Sequence, residues 1–149
     1  MKKTTANKLP LRNVLGPNVN TSVPRAAIRA AIKKSNNEKQ KLFNQVYKFF
    51  RDTPSDKIAK GTLVYDNGSA CAIGQLFPRK MQKMLINGVS SLPPEYLKYY
   101  QEFRTWIYNT LGTELFNAII TINDVCKPSR RLERMRGFAR KHGLTWPNQ

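Results

Sequence analysis

The sequence predicts a mainly α fold (α+β by strict count) of about six helices around one small two-stranded β-hairpin, with an extended basic N-terminal arm. Three observations carry that reading. Apolar residues recur at helical spacing from Leu42 onward. Two short β-type runs flank the turn signal Asp66-Asn67-Gly68-Ser69. The stretch before Arg25 is rich in Pro and Asn and contains no acid.

Residues 1–24 read as the arm. Pro10, Gly16, Pro17 and Pro24 interrupt regular structure, and Asn13, Asn18 and Asn20 add turn chemistry. Such a segment is expected to stay disordered unless something holds it. Residues 25–36 read as a short basic helix favoured by Ala26, Ala27, Ala30 and Ala31. Arg25, Arg29 and Lys33 share one face, Ile28 and Ile32 another, and Asn36-Asn37 is expected to end it. The compact domain then fills 37–149. Its first helix spans about Glu38 to Asp52, with Leu42, Val46, Phe49 and Phe50 as the apolar stripe and Thr53-Pro54 as the stop.

The hairpin is expected at 61–74, with Gly61 to Tyr65 as one strand and Ala70 to Gly74 as its return. A lone hairpin of that size must pack on helices to persist. A helix follows from Pro78 to Ile86. The longest one starts at Pro93-Pro94 and reaches Leu111, with Tyr96, Tyr100, Phe103, Ile107 and Leu111 in line. Tyr99, Trp106 and Tyr108 fall off that stripe and are expected nearer the surface. Leu115, Phe116, Ile119, Ile120 and Ile122 mark a helix from Thr113 to about Val125. The last helix spans Ser129 to His142, stopped by Gly143.

Charge is the outlying property. Lys and Arg number 26 against 9 acids, a formal net charge of +17. Self-repulsion on that scale opposes a compact state unless a counter-charge is near, which points to a polyanionic partner. The cations concentrate in two places. Residues 1–34 carry Lys2, Lys3, Lys8, Arg12, Arg25, Arg29, Lys33 and Lys34 and no acid. The last helix and its approach carry Lys127, Arg130, Arg131, Arg134, Arg136, Arg140 and Lys141, offset by Glu133 alone. Leu132, Met135 and Ala139 form the apolar side of that helix, which would let its Arg-rich side lie on phosphates. These fifteen cations are the candidate nucleic-acid contacts, for DNA or RNA. The alternatives are a ribonucleoprotein, or an acidic protein surface that receives the arm of a structural virion or host-takeover protein. An anionic membrane ranks lower, because the basic helix has only Ile28 and Ile32 to insert.

Catalytic chemistry has little to stand on, and the expectation is a non-enzymatic protein. His142 is the only histidine, at a helix end where the dipole favours a cation. A cysteine-dependent enzyme using Cys71 or Cys126 with His142 is the third reading, unmarked by any local motif. Two cysteines and one histidine give no zinc spacing, and Gly61, Gly68 and Gly74 are not spaced as a phosphate loop. No metal or cofactor is expected. Polar residues follow Lys2 and Lys3 where a signal peptide would be apolar, so the expected setting is soluble and intracellular, in a host cytoplasm or a virion.

Two stretches add a resemblance. The run Cys71-Ala72-Ile73-Gly74-Gln75-Leu76-Phe77-Pro78 resembles a CAIG-x-L-x-P segment of small uncharacterised phage and bacterial proteins. Those proteins carry a His-Asp or Asn-Asp pair downstream and end on an F-A…G-L pattern. Asn123-Asp124 and Phe138-Ala139 through Gly143-Leu144 are similar to those elements, so the resemblance spans roughly 38–145 and leaves the arm outside. It implies a phage or prophage origin and a compact helical domain. Asn123 stands where relatives have His, which removes an acid–base pair.

Overall fold

In a computed structural model, the chain is described for residues 24–147 and folds as five α-helices joined by short turns. The expected arm lies outside the described residues, apart from Pro24. The helices are α1 (Arg25–Asp52), α2 (Arg79–Leu85), α3 (Pro94–Leu111), α4 (Thr113–Asp124) and α5 (Arg131–Lys141). Single 3-10 turns occur at Ser55–Lys57, Gly74–Leu76, Val89–Ser91 and Pro128–Arg130.

The two expected N-terminal helices are one. α1 runs unbroken through Ser35-Asn36-Asn37 for 28 residues, about 42 Å at the helical rise. Asn is a mediocre helix former, costing only a fraction of a kcal/mol against Ala. Extending an existing helix through two such residues is cheaper than nucleating a second one beyond them. What does stop α1 is Thr53-Pro54: Thr53 is extended (φ −101°, ψ 123°), and its N–H still bonds the Phe49 carbonyl at 3.0 Å.

The expected hairpin is also corrected, for no strand forms among the described residues. Its turn is present: the Gly68 N–H reaches the Tyr65 carbonyl at 2.9 Å, and the Ser69 N–H reaches Asn67 Oδ1 at 2.9 Å. Pairing then stops at a single antiparallel bridge, Val64 to Ala70. That bridge consists of Tyr65 N–H to the Ser69 carbonyl and Cys71 N–H to the Leu63 carbonyl. Beyond it the returning chain spends its N–H groups elsewhere: Ala72 N–H takes Asn123 Oδ1, and Gly74 N–H takes Cys71 Sγ. The chain therefore curls into the Gly74–Leu76 turn instead of extending. Gly74 is needed there, because a Cβ at this position would stand 2.2 Å from the Leu63 carbonyl oxygen.

This irregular segment is walled by helices. The core joins Phe43, Val46 and Tyr47 of α1 to Ile107 and Leu111 of α3, Leu115 and Ile119 of α4, and Met135 of α5, with Ala59, Ala72 and Phe77 from the segment. The expected stripe of α3 packs as read: Tyr100 stacks on Phe77 with centroids 5.4 Å apart, and Phe103 lies 5.1 Å from the same ring. Of the three aromatics off that stripe, Tyr99 is exposed, while Trp106 and Tyr108 are half-buried.

Two polar side chains lock the architecture. Asn123 is buried and donates to the Ala59 carbonyl (2.8 Å) while accepting from Ala72 N–H (2.9 Å), so it ties the end of α4 to both limbs of the irregular segment. Arg131 is buried and donates to the Ile122 and Asn123 carbonyls at 3.3 and 3.0 Å. Its guanidinium thus caps the last turn of α4, where orphan carbonyls and the dipole favour a cation.

α1 and α5 run antiparallel. Arg131, at the start of α5, lies over the Phe50 ring late in α1, and His142, just past α5, meets Lys39. α5 ends in a Schellman motif: Gly143 has φ 66°, its N–H reaches the Arg140 carbonyl, and Leu144 N–H reaches the Ala139 carbonyl at 2.8 Å. The chain reverses there and returns along α1. Gln40 Nε2 donates to the Thr145 carbonyl and Gln40 Oε1 accepts from Thr145 N–H. Trp146 then packs edge-on against Tyr47, centroids 4.4 Å apart.

Candidate nucleic-acid interface

The first half of α1 stands away from this body. The first core residue on α1 is Leu42, and Arg25, Arg29, Lys33 and Lys34 are all exposed before it. About 20 Å of helix therefore projects beyond the packed region. Its local electrostatics are unfavourable in isolation. Arg25, Arg29 and Lys33 repeat at i, i+4, where like charges repel, and the first turn has no acid to complement the dipole. Pro24 caps it without any side-chain bond. None of these four cations has an ion-pair partner among the described residues. Beside them runs an apolar edge, with Ile32 42% exposed.

The cations of the last helix and its approach divide into four kinds. Arg131 must be withdrawn from the candidate contacts, because its guanidinium is buried on backbone carbonyls and Ser55. Its place on the wheel, beside Met135 and Ala139, is a core position that a charge count alone passes over. Arg130 and Lys141 are exposed but engaged, with Glu133 (3.0 Å) and Glu114 respectively. Arg136 is held with its guanidinium 4.8 Å from the Trp146 ring centroid, which orients it without neutralising it. Lys127, Arg134 and Arg140 are exposed and have no ionic partner among the described residues.

The antiparallel pairing brings the two groups into sequence along one direction. Read from Lys127 through Arg134 to Arg140, the cations lead toward Lys39, and the projecting half of α1 carries on from there with Lys34, Lys33, Arg29 and Arg25. Lys2, Lys3, Lys8 and Arg12 lie outside the described residues. Lys41 and Lys48 are also exposed on α1 and were not among the expected contacts. The signal for them was their position off the Leu42-Val46-Phe49 stripe.

At the junction sits His142. Its position past the end of α5 would by itself favour a charged ring. Burial first, and Lys39 second, hold its imidazole below the ordinary histidine value, against the pull of Glu114. Nδ1 lies 3.5 Å from Lys39 Nζ, and an ammonium only donates, so Nδ1 must accept. Nε2 is buried 3.7 Å from Glu114 Oε1, beyond hydrogen-bond reach. Burial likewise holds Lys39 below the ordinary lysine value, whereas the bond from Lys141 holds Glu114 below the usual glutamate value.

The cysteines stand apart from this junction. Cys71 is buried beside Gly74, and burial pushes its thiol up from the ordinary value, the reverse of what an activated nucleophile needs. No helix among the described residues is long and apolar enough to cross a membrane. No protein-family model, curated protein or solved structure matches the chain.

Proposed function

We propose that this protein is a non-enzymatic, phage-type nucleic-acid-binding protein. It engages the phosphates of DNA or RNA through the projecting half of α1, the unpaired cations of α5 and the N-terminal arm. The observation that carries the reading is the four exposed, unpaired cations on the first turns of α1, in a helix that holds its own repulsion with no acid before Glu38. A polyanion removes both the i, i+4 repulsion and the conflict with the dipole. Arg-rich contacts to phosphate position a protein without reading sequence, so the affinity is expected to be broad in sequence and steep in salt. Packaged genome, or a host nucleic-acid machine, fits the setting the resemblance implies.

The exposed Ile32 beside Lys33 favours a second reading, in which the same helix lies in an acidic groove of a partner protein with an apolar floor.

The experiment is fluorescence anisotropy with short duplex DNA and single-stranded RNA across about 50 to 200 mM salt. Seven cations (Arg25, Arg29, Lys33, Lys34, Lys127, Arg134 and Arg140) neutralising one phosphate each give a log–log slope of about −6. Replacing Lys127, Arg134 and Arg140 by Ala should weaken binding at least tenfold and flatten that slope by about 3. Arg130→Ala should matter less, since Glu133 already engages that side chain. Absence of salt-sensitive binding to either nucleic acid, with retained capture of an acidic helix, would move the assignment to the protein groove.

A further inference from the structure

Two of the elements that carry the resemblance, Cys71–Pro78 and Asn123-Asp124, are unused by the polyanion reading, and they meet at one place. Cys71 and Ile73 from the first, and Asn123 and Asp124 from the second, line a cavity of about 270 Å³ between the irregular segment, α3 and α4. Tyr100, Arg104 and Phe116 complete its polar and aromatic wall. The size is near the lower end for ligand pockets, enough for one or two fused rings.

Its polar groups are oriented rather than incidental. Asp124 Oδ1 is held by two donors, Asn123 Nδ2 at 2.7 Å and Gly61 N–H at 3.3 Å. Buried Asn123 thereby fixes the carboxylate, and Oδ2 is left with no partner among the described residues. Arg131 acts on Asp124 electrostatically from beyond ion-pair distance, and no cation among the described residues touches the carboxylate. Arg104 lines the same cavity, its guanidinium 5.4 Å from the Phe116 ring centroid, and it too lacks an ion-pair partner among the described residues. A carboxylate only accepts and a guanidinium only donates. A matching ligand is small, to suit the volume, with hydrogen-bond donors for Asp124 and an acceptor for Arg104.

We infer that this cavity binds a single nucleobase, guanine in particular. Guanine offers two adjacent donors, the ring N1–H and the 2-amino group, that can converge on the one free carboxylate oxygen, Oδ2, and its O6 and N7 accept from arginine. Uracil offers one donor and no amino group. The base can belong to a free nucleoside or to a nucleotide swung out of a strand, since the recognised chemistry is the same. The site does not depend on the polyanion reading, because a free nucleoside needs no phosphate contact.

The test is titration calorimetry of the full chain with guanosine, cytidine and uridine, with thermal unfolding as the check on folding. Guanosine should saturate, with uridine at least tenfold weaker. Asp124→Asn keeps an oxygen for Gly61 and Asn123 but turns an amide donor toward the base, and should cost guanosine affinity tenfold or more. Arg104→Gln, on the exposed side of α3, should do the same without altering thermal unfolding. The Gly61 amide resonance should shift with guanosine in the parent chain and not in Asp124→Asn. No saturable guanosine binding, equal binding of all three nucleosides, or full affinity in both variants would each overturn the assignment. A thymidine oligonucleotide with one guanine distinguishes the sources: Asp124-dependent binding tighter than guanosine assigns a strand base, and Asp124 dependence for guanosine alone assigns the free nucleoside.

Discussion

His142 gives a residue-scale handle on stability. It is the only histidine, so side-chain titration between about pH 7.5 and 5.5 falls chiefly on it. Its folded-state value lies below the ordinary 6.5, so the unfolded chain takes up the proton first as pH falls. Stability from the neutral ring is therefore full above pH 6.5 and is lost as pH drops through the folded value. Lys39 and Lys141 oppose the protonated ring, and Glu114 favours it. Urea unfolding at pH 7.5 and 5.5 should show a lower midpoint at the acid end, and His142→Gln should shrink that difference. A midpoint that rises on acidification would mean that Glu114 dominates. Gly74 and Asn123 teach at the same scale. A 3-10 turn accepts Ala readily, so nothing local demands glycine at 74; the Leu63 carbonyl does. Asn123 looks like an end-of-helix polar residue and is instead a buried staple with three hydrogen bonds.

At the scale of the element, α1 is two things in one helix. From Leu42 on, burial against α3 and α5 holds it. Lys39 and Gln40 add contacts to His142 and Thr145; ahead of them, among the described residues, only propensity and cooperativity hold it, against repulsion among its cations. Local opening should then be cheap in the first half and nearly global in the second. Amide hydrogen exchange should be markedly faster for residues 28–37 than for 43–50. Replacing Asn36 and Asn37 by Ala should add a few tenths of a kcal/mol of helix stability each, slowing exchange in the first half while leaving the global midpoint almost unchanged. Uniform protection along all of α1 would show that the projecting half is held by something besides its own propensity. The seam at Asn36-Asn37 was visible in the sequence as a weak point. That it does not break the helix follows from the cost of nucleation, which residue-by-residue reading leaves out.

For the whole molecule, the net charge of +17 sets the balance. Among the described residues, the ion pairs Arg130–Glu133 and Lys141–Glu114 are exposed and Arg51–Asp52 is partly so, and pairs of that kind contribute little. The remaining cations repel, and salt screens that repulsion with a Debye length of about 10 Å at 0.1 M. Raising NaCl from about 20 to 300 mM should therefore raise the thermal midpoint, while the same salt weakens nucleic-acid binding. A midpoint that falls would show that the few pairs outweigh the repulsion.

The sequence by itself determined the helical class, the stop at Thr53-Pro54, the turn at 66–69, the buried stripe of α3, the end of α5 at Gly143 and the two concentrations of cations. Each depends on periodicity, on local backbone chemistry or on composition. Only the tertiary structure decided that the hairpin reduces to one bridge, because its N–H groups are taken by Asn123 and by the Cys71 thiol. It alone separated buried Arg131 from exposed Arg134 and Arg140. It alone brought Asp124, Arg104 and Cys71 to one cavity. Those outcomes depend on contacts between residues far apart in the chain, and no local pattern encodes which distant group will arrive.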